Sequence, residues 1–415
     1  MRVHFVNRFY WPSELATAQL LTDLAESLAE AGGEIAVVAG RSSPELPRRE
    51  SRTNVAIHRV GPRMAAGGNV LRRAFDFAAF HLAASWRLWR TTKRGDVVVV
   101  LTDPPLIGIT AAAIAALRGA RVVHWIHDIY PEVVYSVAPS SGLLCHLLRP
   151  LRNAAWRRAA ACVTLGEEMA GVVRAAKVAT NRISVVPNWA PRGLGPCPPA
   201  ETRRLRSEWS VDERFVVGYS GNLGRVHDLT GLLDVAENLR EDRRFAFVFV
   251  GQGAGLARLR EEAEARALAN VRFLPPQPRA ELTASLSAPD LHVISLREGC
   301  ERFVFPSKLY GAVAVGRPVL VLAAPTAEIA RLVEAAGIGA AFRPSDAAGI
   351  TRFLRSLAED SSRLQQLSAA ALRFDQQHGG PAAAIRSWTA LLERVAAAEP
   401  ASPPSARGAP SRHDT

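Results

Sequence analysis

The feature that most constrains this chain is an alternation of short apolar runs with helical stretches, which occurs twice along the sequence. The clearest run, DVVVVLTDPP at residues 96–105, holds four consecutive valines and ends at a proline pair. Such runs predict strands buried on both faces, and these strands are typical of parallel sheets covered by helices. The predicted strands are residues 3–7, 34–40, 96–105, 121–128, 161–169 (turning into a helix) and 182–190, then 215–221, 245–253, 270–276, 291–296 and 317–323.

A segment rich in proline and glycine, PRGLGPCPP at residues 191–199, separates the two series and is typical of a linker. The predicted fold class is therefore α/β, with two doubly wound parallel-sheet domains in tandem. We place the domains at residues 1–192 and 205–379, and the Pro/Ser/Ala-rich tail at 396–415 is predicted to be disordered. Ligands of such domains bind at the carboxyl ends of the strands.

The chain is strongly basic, with 51 lysines and arginines against 39 acidic residues, and this charge limits its partners. A net charge of +12 fits nucleic acid, anionic lipid or a phosphorylated small molecule. The four cysteines form no C-x-x-C pair, so they predict neither a zinc site nor a disulfide framework. No signal peptide or membrane-spanning run is recognised, and the expected location is cytoplasmic, either soluble or peripheral at the inner face of the plasma membrane.

The segment FPSKLYGAVAVGRPV, residues 305–319, predicts a phosphate-binding site. A helix that opens directly after Pro-Ser-Lys has free N–H groups at its start, and these attract anions. Lys308 adds a full positive charge and Ser307 a hydroxyl donor. Taken alone, the same pattern also fits an ordinary helix start with a solvated lysine.

A glycine-containing loop, YSGNLGRVHD at residues 219–228, predicts a second contact with phosphate. Gly221 and Gly224 follow a strand and let the backbone approach a ligand, and Arg225 can bind phosphate through two N–H groups. A turn of this kind is common between a strand and a helix, so the functional interpretation depends on the other motifs found with it.

These segments belong to a longer series: WIHDIYPEV in the first half, then VVGYSGNLGRVHDLTGLL, FVFVGQGAGLARLREEAE, NVRFLPPQPRAELTASLSAPDLHVISL and FPSKLYGAVAVGRPV. In order and spacing the series resembles glycosyltransferase family 4, and within it the bacterial exopolysaccharide and O-antigen transferases that add fucose or N-acetylfucosamine. The likeness covers about residues 1–395. It implies a GT-B fold, in which two Rossmann-like domains face a cleft and the second holds most of the nucleotide sugar. It also implies a final helix, at about residues 380–395, that crosses back onto the first domain.

The resemblance assigns donor contacts to two turns. Gly251 and Gly253 stand where the family contacts the base and ribose, although a turn that needs positive φ would also explain them. Asn222 and His227 occupy the places of the family's usual arginine and lysine. We expect the neighbouring Arg225 and the lysine of the Pro-Ser-Lys segment to carry the missing charge.

The acidic residues of the donor site depart from the family pattern. The family's usual Glu-x7-Glu pair places its second glutamate on the ribose, and Gly311 stands at that position here. Glu301 matches a glutamate of the closest subgroup, and Glu298 lies three residues before it. Either residue is expected to face the sugar, and either also fits an ordinary surface acid.

On the acceptor side, the resemblance implies that His127 lies beside the transferred sugar, with Asp128 next to it as a substrate contact. Thr17, in the loop FYWPSELATAQ, is expected to contact either phosphate or acceptor. The implied catalytic residues are thus His127, Glu301 and Lys308.

The predicted function is a retaining transfer of a sugar from a UDP- or GDP-sugar to a cell-surface polysaccharide precursor, with no metal and no cofactor besides the donor. The expected acceptor is a glycan or a polyprenyl-diphosphate-linked sugar. Two alternatives are a UDP-N-acetylglucosamine 2-epimerase on the same fold and a basic nucleic-acid-binding protein. The epimerase's acid-rich constellation is not visible, and no nucleic-acid-binding module is recognised, so nucleic acid is not an expected partner.

Residues 48–94 predict contact with an anionic membrane surface, because they hold eleven basic residues and only two acids. Within them, NVLRRAFDFAAFHLAASWRLWR is amphipathic, with Trp86 and Trp89 on the apolar face. A second basic run is LLRPLRNAAWRR, residues 147–158. The alternative is a helix whose apolar face packs on the core and whose basic face is solvated.

Overall fold

The computed structural model describes residues 1–43, 45–63, 70–138 and 142–398. Its first half is an eight-stranded sheet in the order β3-β4-β2-β1-β5-β6-β7-β8. All neighbouring strands are parallel except β3 and β4, which pair antiparallel at the edge. The strands are β1 Arg2–Val6, β2 Glu34–Arg41, β3 Arg49–Arg52, β4 Val55–Arg63, β5 Val97–Val100, β6 Arg121–Ile126, β7 Ala161–Thr164 and β8 Ile183–Val185.

Helices cover both faces of this sheet, and the run of four valines shows why. Val97 and Val99 pack on one face, in a cluster with α1, while Val98 and Val100 pack on the other with α2 and α3. Since neighbouring side chains of a strand point to opposite faces, a strand covered on both sides needs apolar residues at every position. The helices are α1 Ala16–Glu30, α2 Val70–Thr91, α3 Ile107–Arg118, α4 Glu132–Val137, α5 Gly142–Arg158 and α6 Glu167–Ala175.

The second half is a six-stranded, fully parallel sheet in the order β11-β10-β9-β12-β13-β14. Its strands are β9 Phe215–Asn222, β10 Phe245–Gln252, β11 Val271–Leu274, β12 Leu291–Ser295, β13 Val319–Leu322 and β14 Gly339–Phe342. Its helices are α7 Pro199–Glu208, α8 Thr230–Asn238, α9 Ala254–Ala265, α10 Leu282–Ser287, α11 Lys308–Ala314, α12 Glu328–Ala335, α13 Ala347–Glu359 and α14 Ser361–Phe374. Strand β10 again packs on both faces, with phenylalanines on one side and smaller residues on the other. The two doubly wound sheets confirm the predicted α/β class with two domains in tandem.

Three strands were not predicted, and each lacks the continuous apolar run of the others. Strands β3 and β4 lie inside the basic segment, where Val55 and Ile57 alternate with polar or small residues. Strand β14, GAAF, consists mainly of small residues. The first sheet is parallel apart from this edge, where β3 turns back along β4.

The carboxyl ends of the two sheets meet across the boundary between the halves. The segment after β6 forms an antiparallel bridge between Asp128 and Val304, which follows β12. The N–H of Ile129 donates to the carbonyl of Phe303 at 2.9 Å. The loops that follow the strands of one sheet therefore face those of the other.

A second contact between the halves joins a carboxylate to a helix end. Glu328, at the start of α12, accepts hydrogen bonds from the N–H groups of Glu167 and Glu168 at 2.8 and 2.7 Å. These N–H groups belong to the first turn of α6, where backbone donors lack partners within the helix and a negative charge is favoured.

The last helix, α15 Pro381–Ala397, packs against the first half of the chain. Trp388 is fully buried, and its ring centroid lies 4.7 Å from that of Trp125 on β6. Trp189, which follows β8, also stacks on Trp125, and their ring centroids lie 5.9 Å apart. Of the tail predicted to be disordered, residues 399–415 lie outside the described residues, while 396 and 397 end the helix.

Candidate functional site

The floor of the candidate donor site is a pair of glycine turns at the carboxyl ends of β9 and β10. Gly221 pairs with Gly251 in the sheet, and both have positive φ, 126° and 146°. A Cβ on Gly251 would lie 2.1 Å from the carbonyl oxygen of Gly221, and one on Gly253 would lie 2.6 Å from Asn222 Oδ1. Side chains are therefore excluded at these glycines, because protein atoms already fill the space that a Cβ would take.

Lys308 extends across this floor from the start of α11. A Cβ on Gly221 would lie 2.9 Å from Lys308 Cε, so the lysine stem runs directly over the glycine. The ammonium Nζ lies 3.2 Å from His227 Nε2 and 5.2 Å from the centroid of the Tyr219 ring. Helix α11 has only seven residues, and the Ser307 side chain forms no capping hydrogen bond to it. The lysine side chain, more than the helix end, is thus the positive element of this site.

The hydrogen bonds of His227 fix both its tautomer and the direction of the lysine. Its Nδ1 lies 2.6 Å from the carbonyl oxygen of Ser295, which can only accept, so Nδ1 carries the proton. The unprotonated Nε2 then accepts from Lys308. Burial and the neighbouring lysine charge lower the pKa of His227 to about 3, and burial lowers the pKa of Lys308 to about 8. At pH 7 the imidazole is neutral and the ammonium is charged, with two further N–H groups to offer a ligand.

The other residues predicted for phosphate lie in the same loop but are more exposed. Arg225 stands two residues before His227, and its guanidinium is exposed. Its backbone carbonyl accepts from Arg297 Nε at 3.1 Å. Asn222, the last residue of β9, is also exposed.

A cavity of about 290 Å³ adjoins the second glycine turn. It is lined by Gly251, Gly253 and the aromatic rings of Phe249 and Phe273, whose centroids lie 5.0 Å apart in a stacked arrangement. Phe249 is buried behind the half-buried Phe273, and an aromatic wall beside a glycine turn suits a heterocyclic base.

The structure distinguishes the two glutamates that the sequence left open. Glu298 is 77% exposed at its side chain and lies 3.7 Å from Arg343, as a surface ion pair does. Glu301 accepts from the N–H of Gly299 at 2.6 Å through Oε2. Its Oε1 is buried and has no protein partner within the described residues. Glu301 therefore holds an acceptor that a ligand hydroxyl can satisfy.

On the opposite side of the boundary, His127 is buried against Trp125, with ring centroids 4.8 Å apart. Burial lowers the pKa of His127 to about 3, so the ring is neutral at pH 7. Its Nε2 is buried without a hydrogen-bond partner in the part of the chain that is described. Thr17 lies half-buried in the first turn of α1, at the carboxyl end of β1.

Asp128, which follows His127, has its backbone N–H bound to Thr102 Oγ1 at 3.2 Å. Burial, and then the charge of Asp103, raise the pKa of Asp128 to about 7. Asp103 is paired with Arg8 at 2.9 Å. Of these two carboxylates, Asp128 is therefore the one that has no cationic partner among the described residues.

Asp128→Asn is expected to stabilise the protein in a manner that depends on pH. Between about pH 4 and pH 7 the unfolded chain loses the Asp128 proton while the folded chain keeps it, so the wild-type free energy of unfolding falls through this window and is level above it. The gain from asparagine should grow over the same window and reach roughly 2–4 kcal/mol at pH 8. Denaturant unfolding at several pH values measures it.

Glu241→Gln is the matched control, because the Glu241 side chain is 91% exposed and its replacement should change stability little at any pH. A gain for Asp128→Asn that is equal at pH 4 and pH 8 would contradict the raised pKa of this half-buried carboxyl group.

Two residues of the lysine environment were not among the predicted site residues. His227 was noted only as a departure from the family pattern, and Tyr219 only as part of the loop. The signal for His227 was its position, three residues after Gly224 in a loop already assigned to phosphate. No sequence pattern indicated that it would bond to the carbonyl of Ser295, 68 residues away in the chain.

Comparison with known proteins agrees with this architecture. Residues 17–189 match the glycosyl transferase 4-like domain, and residues 201–374 match the glycosyl transferases group 1. The probable glycosyltransferase WbjE of Pseudomonas aeruginosa is 27% identical over 279 residues, 66% of this chain and 69% of that protein. WcaI of Escherichia coli, a putative colanic acid biosynthesis glycosyl transferase, is 27% identical over 289 residues, 68% of this chain and 70% of that protein.

A solved structure with the same fold is that of Anabaena Alr3699/HepE in complex with UDP-glucose. It superposes with a TM-score of 0.72 at 16% sequence identity, and the match covers 95% of this chain and 100% of that one. The fold, the two matched domains and the curated relatives agree with the motifs read from the sequence. The chain is therefore a GT-B glycosyltransferase and belongs to family 4.

Proposed function

We propose that this transferase takes its sugar from a nucleoside diphosphate sugar, UDP- or GDP-linked, and transfers it with retention of anomeric configuration. The observation that carries the proposal is the charged Lys308 held over the glycine turn by His227. A half-buried lysine whose ammonium is aimed by a neutral acceptor is preorganised for an anion.

The proposed donor lies along the carboxyl ends of β9 and β10. The base enters the cavity beside Phe249 and Phe273, and the diphosphate lies over Gly221 towards Lys308 and Arg225. Helix α11 brings Ser307 to the same place. The UDP-glucose complex of HepE, which shares the fold, supports this class of donor.

In the proposed reaction, the bond from the anomeric carbon to the leaving phosphate oxygen breaks, and a bond to the acceptor oxygen forms on the same face of the sugar. The proton of the acceptor hydroxyl passes to the departing phosphate. Lys308 and Arg225 neutralise the charge that grows on the diphosphate. Glu301 Oε1 and His127 Nε2, both buried and without partners among the described residues, are positioned to hydrogen-bond the sugar hydroxyls.

Thermal melting of the purified chain with a panel of nucleoside diphosphates and their sugars tests the donor assignment. A true donor product stabilises the fold by mass action, by about 2.7 kcal/mol at a hundred times its dissociation constant. We expect UDP or GDP to raise the melting temperature, and the matching monophosphate to raise it less because it lacks the second phosphate. A panel in which no nucleoside diphosphate shifts the melting temperature would overturn the proposal.

We further propose that the acceptor is the lipid-linked precursor of a cell-surface polysaccharide. The curated relatives include a putative colanic acid biosynthesis transferase, which supports a polysaccharide product. Asp128, Tyr130 and Trp156 line a narrow cavity next to the boundary between the halves, on the acceptor side.

The outer helices of the first half support peripheral contact with an anionic membrane. On α2 the buried face is that of Phe80, Ala84 and Leu88, so the apolar face predicted for membrane contact is left outside. Its exposed members are Leu71, Phe75, Leu82, Trp86 and Trp89, and α5 exposes Leu143, Leu144, Leu147 and Leu151. Apolar side chains flanked by arginines are typical of interfacial helices.

Among the described helices, none is long and apolar enough to cross a bilayer. We propose that the protein works at the cytoplasmic side and rests on the membrane through α2 and α5. Flotation with lipid vesicles tests this surface. A chain that does not bind anionic vesicles at low salt would contradict the proposed membrane contact.

A further inference from the structure

A second basic site lies on the outer side of the first sheet. A cavity of about 480 Å³ opens between the β3–β4 edge and α2. The charged and imidazole side chains at this arginine cavity are the buried Arg59 and the outer residues Arg48, Arg49, His58, Arg87 and Arg90. None of the residues proposed for sugar transfer lines it, so it is separate from the donor site.

The positive charge of the outer arginines of this cavity is not neutralised by any described residue. No carboxylate is among its lining residues, and within the described chain none of its four outer arginines forms an ion pair. Glu50, the acid next to Arg49, is bound instead by the buried Arg59, which donates to it at 2.6 Å. Burial, and then the charges of Arg49 and Arg90, lower the pKa of Arg87. Like charges are thus crowded into one cavity.

Two donors in the wall are also left without acceptors. Arg87 Nη2 donates to His58 Nε2 at 2.8 Å, so the proton of the neutral imidazole is on Nδ1. Burial, and then the nearby arginines, lower the pKa of His58 to about 4, which keeps the ring neutral at pH 7. His58 Nδ1 and Arg87 Nε are both buried and unpaired among the described residues. Buried donors of this kind are costly unless an acceptor reaches them.

We propose that the arginine cavity is a second binding site of this chain, specific for a phosphate group. Guanidinium forks match phosphate oxygens, and the four outer arginines bring several such forks to one cavity. The cavity falls in the size range of small-molecule sites, and Ala83 and Trp86 form an apolar part of its wall. The ligand is therefore a phosphate ester or diphosphate that carries a substituent.

The phosphate has two possible sources. Trp86 belongs both to this cavity and to the exposed apolar face of α2, which places a lipid headgroup within reach if the proposed membrane surface is correct. A soluble phosphorylated molecule has the same chemistry. The site itself goes beyond the proposed transfer reaction and does not depend on it.

Calorimetric titration of the full chain with inorganic pyrophosphate tests the site. The cavity variant is the double substitution Arg49→Gln/Arg90→Gln, at two exposed positions. We expect it to bind pyrophosphate about tenfold more weakly or worse, because each lost charge-assisted hydrogen bond is worth roughly that factor. Lys93→Gln/Arg94→Gln removes the same charge just outside the cavity and should bind as the wild type does. Both variants should keep the melting shift given by a nucleoside diphosphate, which separates this site from the donor site.

Flotation with phosphatidylcholine vesicles, with and without phosphatidylglycerol, then distinguishes the sources. Loss of anionic-vesicle binding in the cavity variant, and competition by pyrophosphate, would assign the site to a lipid headgroup. Unchanged flotation with weakened pyrophosphate binding would assign it to a soluble phosphate compound. Pyrophosphate binding that is absent, or equal in both double variants, would overturn the proposal.

Discussion

Replacing Lys308 with alanine is expected to lower kcat by about a hundredfold or more, the loss seen when one preorganised donor to a developing negative charge is removed. The reason is geometric: Lys308 Nζ is held 3.2 Å from His227 and above Gly221, where the leaving diphosphate is proposed to lie. Initial rates with the donor identified by thermal melting measure the effect.

Lys308→Met separates lost catalysis from lost folding. It keeps an apolar stem over Gly221 but removes the charge whose desolvation lowers the lysine pKa to about 8, so it should be at least as stable as the wild type. Lys93→Ala, at an exposed lysine, should leave kcat unchanged. Wild-type turnover in either Lys308 variant would show that this lysine does not act on the leaving group.

Trp388→Ala is expected to lower the free energy of unfolding of the first half by about 3–5 kcal/mol, the usual cost of removing a buried aromatic side chain. Trp388 is fully buried against Trp125, so its removal leaves a cavity where α15 meets the sheet. Chemical denaturation monitored by circular dichroism measures the change.

The control for that experiment is Trp86→Ala, because Trp86 is 62% exposed and its loss should change stability by less than about 0.5 kcal/mol. If the two tryptophan variants were equally stable, α15 would not be a structural part of the first half.

The strands that could be predicted are those whose burial on both faces demands an unbroken apolar run, such as Val97–Val100. The edge strand β3, RESR, could not be predicted, because its position is decided by pairing with β4 and not by its own apolarity. In the same way, motifs in the sequence pointed to Gly221, Gly251, Gly253 and Lys308 as candidate site residues. Close approach of the backbone requires glycine, and a positive charge requires a basic residue.

Other features of the site depend on orientation, which spacing does not determine. Glu298 and Glu301 are three residues apart in one loop, and only the folded chain shows that the first meets solvent and the second binds the N–H of Gly299. The pairing of His227 with Lys308 joins residues 81 positions apart, and no local pattern indicates it.

The return of α15 to the first half has a mechanical consequence. The polypeptide passes between the halves once between β8 and α7 and again after α14, through the π-helical turn Asp375–Gly379. Two domains joined by two connecting segments resist separation and twisting. They rotate most easily about the line that passes through both segments. Substrate should therefore be admitted by a hinge rotation about this line. The two hydrogen bonds from α6 to Glu328 must break before the halves can open.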